Sequence, residues 1–328
     1  MAVTIKDIAR RTGVSIATVS RALSEAPTYP VAEETRRRVR AEAERLGYVR
    51  NEAARLLVQG QATLVALLPD WGTSLFADSL AWHVGEALIA NDLAPLNVHC
   101  SSPSGDGAAT LPGLPLAGGI VLECGEVQQK NIELLQQRNA SIVSVGGTPL
   151  PNTDRVEVDL ALGGELAAQH LLSTGRRRLV MAAPAQARPT GDARRNGFQN
   201  AVVAAGLEAG DFEVPAAIVG PEVRAAAREW VAAGNLPDGL FCHNDELAFA
   251  LLRALLEAGV RVPDDVAVVG FDGLPEGELY WPSLTTVAYP FDAVASEAVA
   301  MLAARIEDPE AAPQFSRLAP KLVIRETA

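Results

Sequence analysis

The chain has 328 residues, 48% hydrophobic and 21% charged, a globular composition with room for two or three domains that excludes a low-complexity or wholly disordered protein. No apolar run reaches the roughly 18 residues of a membrane span, and charges within the first eleven residues interrupt any signal-peptide core, so a cytoplasmic protein is expected. The formal net charge of −12 hides a division: residues 1–60 hold 11 Lys+Arg against 7 Asp+Glu, a net of +4, which leaves −16 for the rest, so only the head is suited to a polyanion.

Residues 4–46 read as three short helices. Thr4 is placed to cap the first, with Asp7 in its opening turn, and Gly13 breaks it. Ser15 can cap a second helix running to about Leu23, and a third spans roughly Ala32 to Leu46 before Gly47. The stretch EAPTYP between them holds two prolines and is loop. Small Ala9 sits where two helices touch, and Val19 and Leu23 share an inner face, which is helix-turn-helix spacing. The outer face of the second helix carries Ile16, Ala17, Ser20 and Arg21. Arg21 can offer two parallel donors to guanine, and Ile16 and Ala17 can meet a thymine methyl. The hydroxyls of Ser15, Thr18 and Ser20 suit phosphates. On spacing alone, a plain three-helix cap with solvated polar residues is the lesser alternative, and the Arg36-Arg37-Arg38-Val39-Arg40 run reads as a solvated face rather than a phosphate clamp.

The next segment, NEAARLLV (51–58), is one or two helical turns, too short to be stable alone in water. From about Thr63 the pattern changes to short apolar runs alternating with amphipathic stretches. TLVALL precedes a helix over 74–91, GGIVLE one over 126–138, and RRRLVMAA one over 191–209. SIVSV stands between, and GLFC and VAVVGF flank a helix over 244–259. This alternation predicts doubly wound parallel sheets, and about ten strands suit two such units better than one. Ligands gather at the carboxyl ends of such strands. Those ends are Pro69-Asp70-Trp71, Glu123-Cys124-Gly125, Gly146-Gly147, His243-Asn244-Asp245 and Phe271-Asp272-Gly273. A sugar hydrolase or kinase finds little support there: the chain has no phosphate-binding GxxxxGK[ST] loop and no G-x-S-x-G elbow, and His243 has no partner at metal-ligand spacing. The three cysteines, Cys100, Cys124 and Cys242, are odd in number and far apart, and read as reduced core thiols.

The stretch TIKDIARRTGVSIATVSRAL (Thr4 to Leu23) closely resembles the N-terminal signature of the lactose/galactose-repressor family of bacterial transcription regulators, and VAEETRRRVRAEAERLGYVRN resembles its third helix and the approach to its hinge. Further landmarks are HLLSTGRRRLV (170–180), ARRNGF (193–198), HNDELAFALL (243–252), VVGFDG (268–273) and PSLTTV (282–287). The resemblance implies an all-α helix-turn-helix head over 1–49, a hinge helix and linker over 50–60, and over 61–328 an α/β two-lobed domain like the periplasmic sugar-binding proteins. Its N-lobe would take about 61–158 and 289–318, its C-lobe about 159–288 and 319–328. Base reading would fall to Ile16, Ala17 and Arg21, and backbone contact to Thr4, Ser15, Thr18 and Ser20. Asn51, Ala54 and Leu57 would meet the minor groove, the leucine as a wedge. Asp70, Thr190, Arg194, Asn244 and Asp272 would hold a small effector, most simply a carbohydrate, whose hydroxyls suit an arginine fork, an amide and carboxylates. Trp71, Phe271 and Trp281 would stack on a sugar or serve as lobe core. The implied function is that of a repressor, not an enzyme, which binds double-stranded operator DNA as a homodimer. No cofactor, metal or membrane partner is expected. Two departures from the family pattern stand out: EAPTYP is about two residues long for the family, and Arg50 replaces a proline common before the hinge. A free-standing sugar-binding transport protein would need a secretion signal and would have no use for the helix-turn-helix.

Overall fold

The structure, a computed structural model, describes residues 3–23, 31–48, 63–69, 74–98, 114–124, 129–137, 139–184, 193–216 and 220–328. The chain divides into two compact units that part between Gln61 and Ala62.

The first unit holds α1 (Ile5–Thr12), α2 (Ile16–Ala22) and α3 (Glu33–Arg45). Thr4 opens α1 by donating from its backbone N–H and its hydroxyl to Asp7 Oδ2, at 3.0 and 2.6 Å. Those bonds hold the Asp7 carboxyl below its ordinary range. Gly13 ends α1 at φ 68°, a left-handed conformation that side chains disfavour. Ser15 then caps α2 by accepting from the Thr18 N–H at 3.1 Å. Ile8, Ala9, Val19, Ala22, Val39 and Ala43 form a core of their own, with Leu23 packed against it.

The second unit contains two six-stranded sheets. The first is built from β1 (Leu64–Leu68), β2 (Ala94–Asn97), β3 (Leu116–Cys124), β4 (Ser141–Gly147), β5 (Asp154–Val158) and β11 (Phe315–Leu318), in the order β11-β5-β4-β3-β1-β2. The second uses β6 (Leu179–Pro184), β7 (Gly210–Val214), β8 (Gly239–Cys242), β9 (Ala267–Asp272), β10 (Thr285–Ala288) and β12 (Lys321–Val323), in the order β12-β10-β9-β8-β6-β7. Among the described residues, every pairing is parallel except β10 with β12. Central strands such as β8 (GLFC) and β9 (AVVGFD) are buried along their length, as expected for parallel strands covered on both faces. The covering helices are α4 (Leu75–Ala90), α5 (Gln129–Gln136), α6 (Leu160–Ser173), α7 (Ala193–Ala204), α8 (Pro221–Ala232), α9 (Asp245–Glu257) and α10 (Phe291–Glu307). Within the described residues, the helices expected over 126–138 and 191–209 run over Gln129–Gln136 and Ala193–Ala204, and the second ends before its apolar periodicity does because Gly206 turns the chain at φ 76°.

The chain passes between the sheets three times, from β5 into α6, from β10 into α10, and from β11 into β12. The first and third passages are tied together by the Asp159 N–H, which donates to Leu318 O at 2.8 Å. Helices α6 and α7 touch backbone to backbone. A Cβ on Gly164 would run into the Arg194 carbonyl, and one on Gly197 into the Ala161 carbonyl. That close approach sets the first turn of α7 against the second sheet.

Candidate functional site

In the first unit, the outer face of α2 collects the residues expected to read DNA. Ile16 is 46% exposed, and Ala17 and Ser20 are also exposed, while Val19 and Ala22 point into the core. Arg21 Nε donates to Ala17 O at 3.2 Å, so the guanidinium lies back along α2. The hydroxyls of Ser15 and Thr18 are 2.8 Å apart, and both help hold the start of the helix, as Thr4 does for α1. In α3, Arg40 Nε donates to Ala22 O at 3.3 Å, closing the carboxyl end of α2. Arg37 and Arg38 face solvent. The basic run therefore divides into a helix-end clamp and a solvated face.

In the second unit, the carboxyl ends of β8 and β9 bring together Asn244, Phe271, Asp272 and, from the first turn of α7, Arg194. Asn244 caps α9, its side-chain oxygen accepting from the Leu247 N–H at 2.8 Å. Phe271 is fully buried, and the Arg194 guanidinium lies over its ring, 4.4 Å from the centroid. The ring thus supports the arginine from below. Arg194 Nη1 is also 2.8 Å from His243 Nε2. Asp272 is only 2% exposed and takes φ 121°, a costly conformation for a residue with a side chain. Its Oδ2 is buried with no hydrogen-bond partner.

Electrostatics set this corner apart. Burial drives the Asp272 carboxyl well above its ordinary range, and the neighbouring Asp245 raises it further while Arg194 opposes the shift. Asp245 accepts from Thr286 Oγ1 at 2.6 Å and from the Leu274 N–H at 2.8 Å. Burial still pushes it up to about 7. The Tyr289 hydroxyl, likewise buried and without a hydrogen-bond partner, is raised by burial and then by Glu123, with Arg194, Asp272 and Arg155 also within its field. It links this corner to a cavity of about 220 Å³ lined by Glu123, Gly146 and Arg155 from the first sheet and by Asp159, Ala193 and Tyr289. Glu246, at the start of α9, accepts from the Leu75 N–H at the start of α4, which reaches from one sheet's helices to the other's, and burial raises its carboxyl.

Asn51, Ala54, Leu57, Asp70, Trp71 and Thr190 lie outside the described residues. Glu123 stood among the strand-end residues, but Tyr289, Arg155 and the His243–Arg194 contact carried no sequence signal. Trp281, the other candidate for stacking, is 81% exposed. Among the described residues, no group of three or more His, Cys, Asp or Glu could hold a metal ion. No described helix is long and apolar enough to cross a membrane.

Residues 4–51 match the family described as "Bacterial regulatory proteins, lacI family", and residues 168–328 match "Periplasmic binding protein-like domain". The "HTH-type transcriptional repressor PurR" of Photobacterium profundum is 27% identical over 340 residues, covering 99% of this chain and 98% of the relative. Among solved structures, a lac repressor dimer bound to operator and the anti-inducer ONPF is similar with TM-score 0.83 and 22% identity, over 100% of this chain and 99% of that one. A complex of the transcriptional regulator CelR with cellobiose is similar with TM-score 0.69 and 27% identity, over 99% of this chain and 100% of that one. Along the chain, a helix-turn-helix whose outer face is exposed precedes a two-sheet body with buried polar groups at its strand ends, and relatives align along almost the full length. The chain belongs to the lacI family of bacterial regulatory proteins, and it is a DNA-binding transcription regulator rather than an enzyme.

Proposed function

We propose that the protein is a cytoplasmic repressor that binds a pseudo-palindromic operator as a homodimer and is controlled by a sugar or sugar derivative held between the two sheets of its second unit. Two-fold related half-sites call for a two-fold protein, because one helix-turn-helix reads only a half-site. Ile16, Ala17 and Arg21 read bases, Thr4, Ser15, Thr18 and Ser20 meet the backbone, and Asn51, Ala54 and Leu57 enter the minor groove. Arg194, Asn244 and Asp272 hold the effector together with Asp70, Trp71 and Thr190, and Phe271 contributes as the support under Arg194.

The observation that carries the effector reading is the unpartnered Oδ2 of buried Asp272 in the field of a stacked arginine. An orphaned buried acceptor costs about 1–3 kcal/mol, which a ligand hydroxyl would recover. Thermal unfolding of the full chain with a panel of pentoses, hexoses and cellobiose tests it. A sugar at 100 times its dissociation constant stabilises by about 2.7 kcal/mol, and Arg194→Ala should abolish that shift while sparing operator binding. A shift that persists in Arg194→Ala would place the effector elsewhere.

A further inference from the structure

Arg194 reaches the strand ends on a long, rotatable stem, and an arginine binds with specificity only when its planar fork is fixed. Stacking on Phe271, with Cζ 4.4 Å above the ring, fixes the height and tilt of that plane. The stack by itself does not set how the fork is turned within that plane, because a ring face is nearly indifferent to the azimuth of a cation above it. An acceptor in the plane of the fork does set it, and His243 Nε2, 2.8 Å from Nη1, is placed as one. The imidazole is itself held at its root: the His243 N–H donates to Ala182 O at 2.8 Å, which carries the β6–β8 pairing one residue past the strand, and the next residue, Asn244, is locked as the cap of α9.

We propose that His243 is a positioning residue for effector recognition, accepting from Arg194 through Nε2 and so helping to set where the other donors of the fork point. This rests on the reading of Arg194 as an effector contact. An arginine cannot accept a hydrogen bond, so Nε2 must carry the lone pair and the ring proton must sit on Nδ1. A neutral Nδ1–H tautomer is thereby specified for a residue that elsewhere moves between forms.

Two variants separate positioning from packing. Glutamine extends a carbonyl oxygen about as far from the backbone as Nε2, whereas leucine has the bulk and no acceptor. In His243→Gln, cellobiose, D-ribose and D-glucose should bind within about threefold of the wild type, and in His243→Leu the sugar that binds best should lose about tenfold or more, the effect of removing a hydrogen bond to a charged group. Operator binding and melting temperature should be the same in both. Nitrogen-15 spectra of the imidazoles in the full chain supply a readout that needs no ligand. The His243 signal, assigned by its loss in His243→Gln, should show the Nδ1–H tautomer at pH 8 and should change to the Nε2–H form or a mixture in Arg194→Ala. A His243 tautomer that ignores Arg194→Ala, or equal sugar affinity in His243→Leu and the wild type, overturns the proposal. If Arg194→Ala itself leaves sugar binding unchanged, or no sugar binds the wild type, the effector reading fails, and the imidazole spectrum still decides whether His243 orients Arg194.

Discussion

At the scale of single residues, the head and the body differ in how much they disclose. Arg21 is on the exposed face of α2 because Val19 and Ala22 are its buried neighbours, a relation fixed by helical period and therefore legible in the sequence. Its Nε is bonded to Ala17 O, and the proposed base reading assigns the two Nη groups to a base. Arg21→Ala should relax base choice at one operator position and cost about 1–3 kcal/mol there. Competition binding with half-site variants measures this, and uniform weakening on every sequence would make Arg21 a phosphate contact instead. Asp245 was visible in the sequence only as part of the strand-end cluster His243-Asn244-Asp245. What makes it unusual is the desolvation that pushes it up to about 7 against the hydrogen bonds from Thr286 and the Leu274 N–H, which hold it down, and both of those donors are distant in sequence. A carboxyl whose pKa is higher folded than unfolded contributes stability that is full below about pH 4 and is lost as pH rises to about 7. Asp245→Asn should flatten that decline in denaturant titrations between pH 5 and pH 8. An unchanged slope would assign it to the other buried acid, Asp272. Tyr289 escaped notice altogether, because its hydroxyl acquires meaning only from Glu123, Arg155, Arg194 and Asp272, none of them near it along the chain.

At the scale of elements, the strands that could be read directly are those buried on both faces, whose runs of Val, Leu and Phe have no competing pattern. The edge strands are a different matter. β2 reads APLN, β7 GDFEV, β11 FSRL and β12 KLV, each short and mixed, and each held by one neighbouring strand rather than by its own composition. Helix α7 was legible as a helix, but its end was not, because the left-handed Gly206 outweighs the apolar periodicity that continues through Leu207. The crossing of α6 and α7 also hides in the sequence, since Gly164 and Gly197 look like helix weaknesses until their partners are known. Gly197→Ala should force α7 away from Ala161 at a cost of about 1–3 kcal/mol and displace Arg194 with it. Sugar affinity should fall more than operator affinity, as calorimetry and gel-shift titration would show. Equal stability of variant and wild type would mean that the crossing relaxes without strain.

At the scale of the whole molecule, the charge division and the two compact units place the two activities in different parts of one chain. Removing residues 1–60 should abolish DNA binding and leave sugar binding intact. In the full protein, DNA affinity should fall steeply with salt, because each cation that meets a phosphate releases counterions. A fragment of residues 61–328 that still shifted specific DNA would refute the division. The sheets add a consequence for the order of manufacture. Each sheet receives an edge strand from residues 315–323, β11 in one and β12 in the other, whereas the head closes its core from residues synthesised far earlier. On the ribosome, where domains fold as they emerge, the reader of DNA is finished early, and neither half of the sensor can be completed until those two strands have left the exit tunnel. A message cut short just before Phe315 therefore yields a protein with its reader assembled and its sensor missing a strand from both halves, so the codons for these strands guard responsiveness to the effector rather than recognition of the operator.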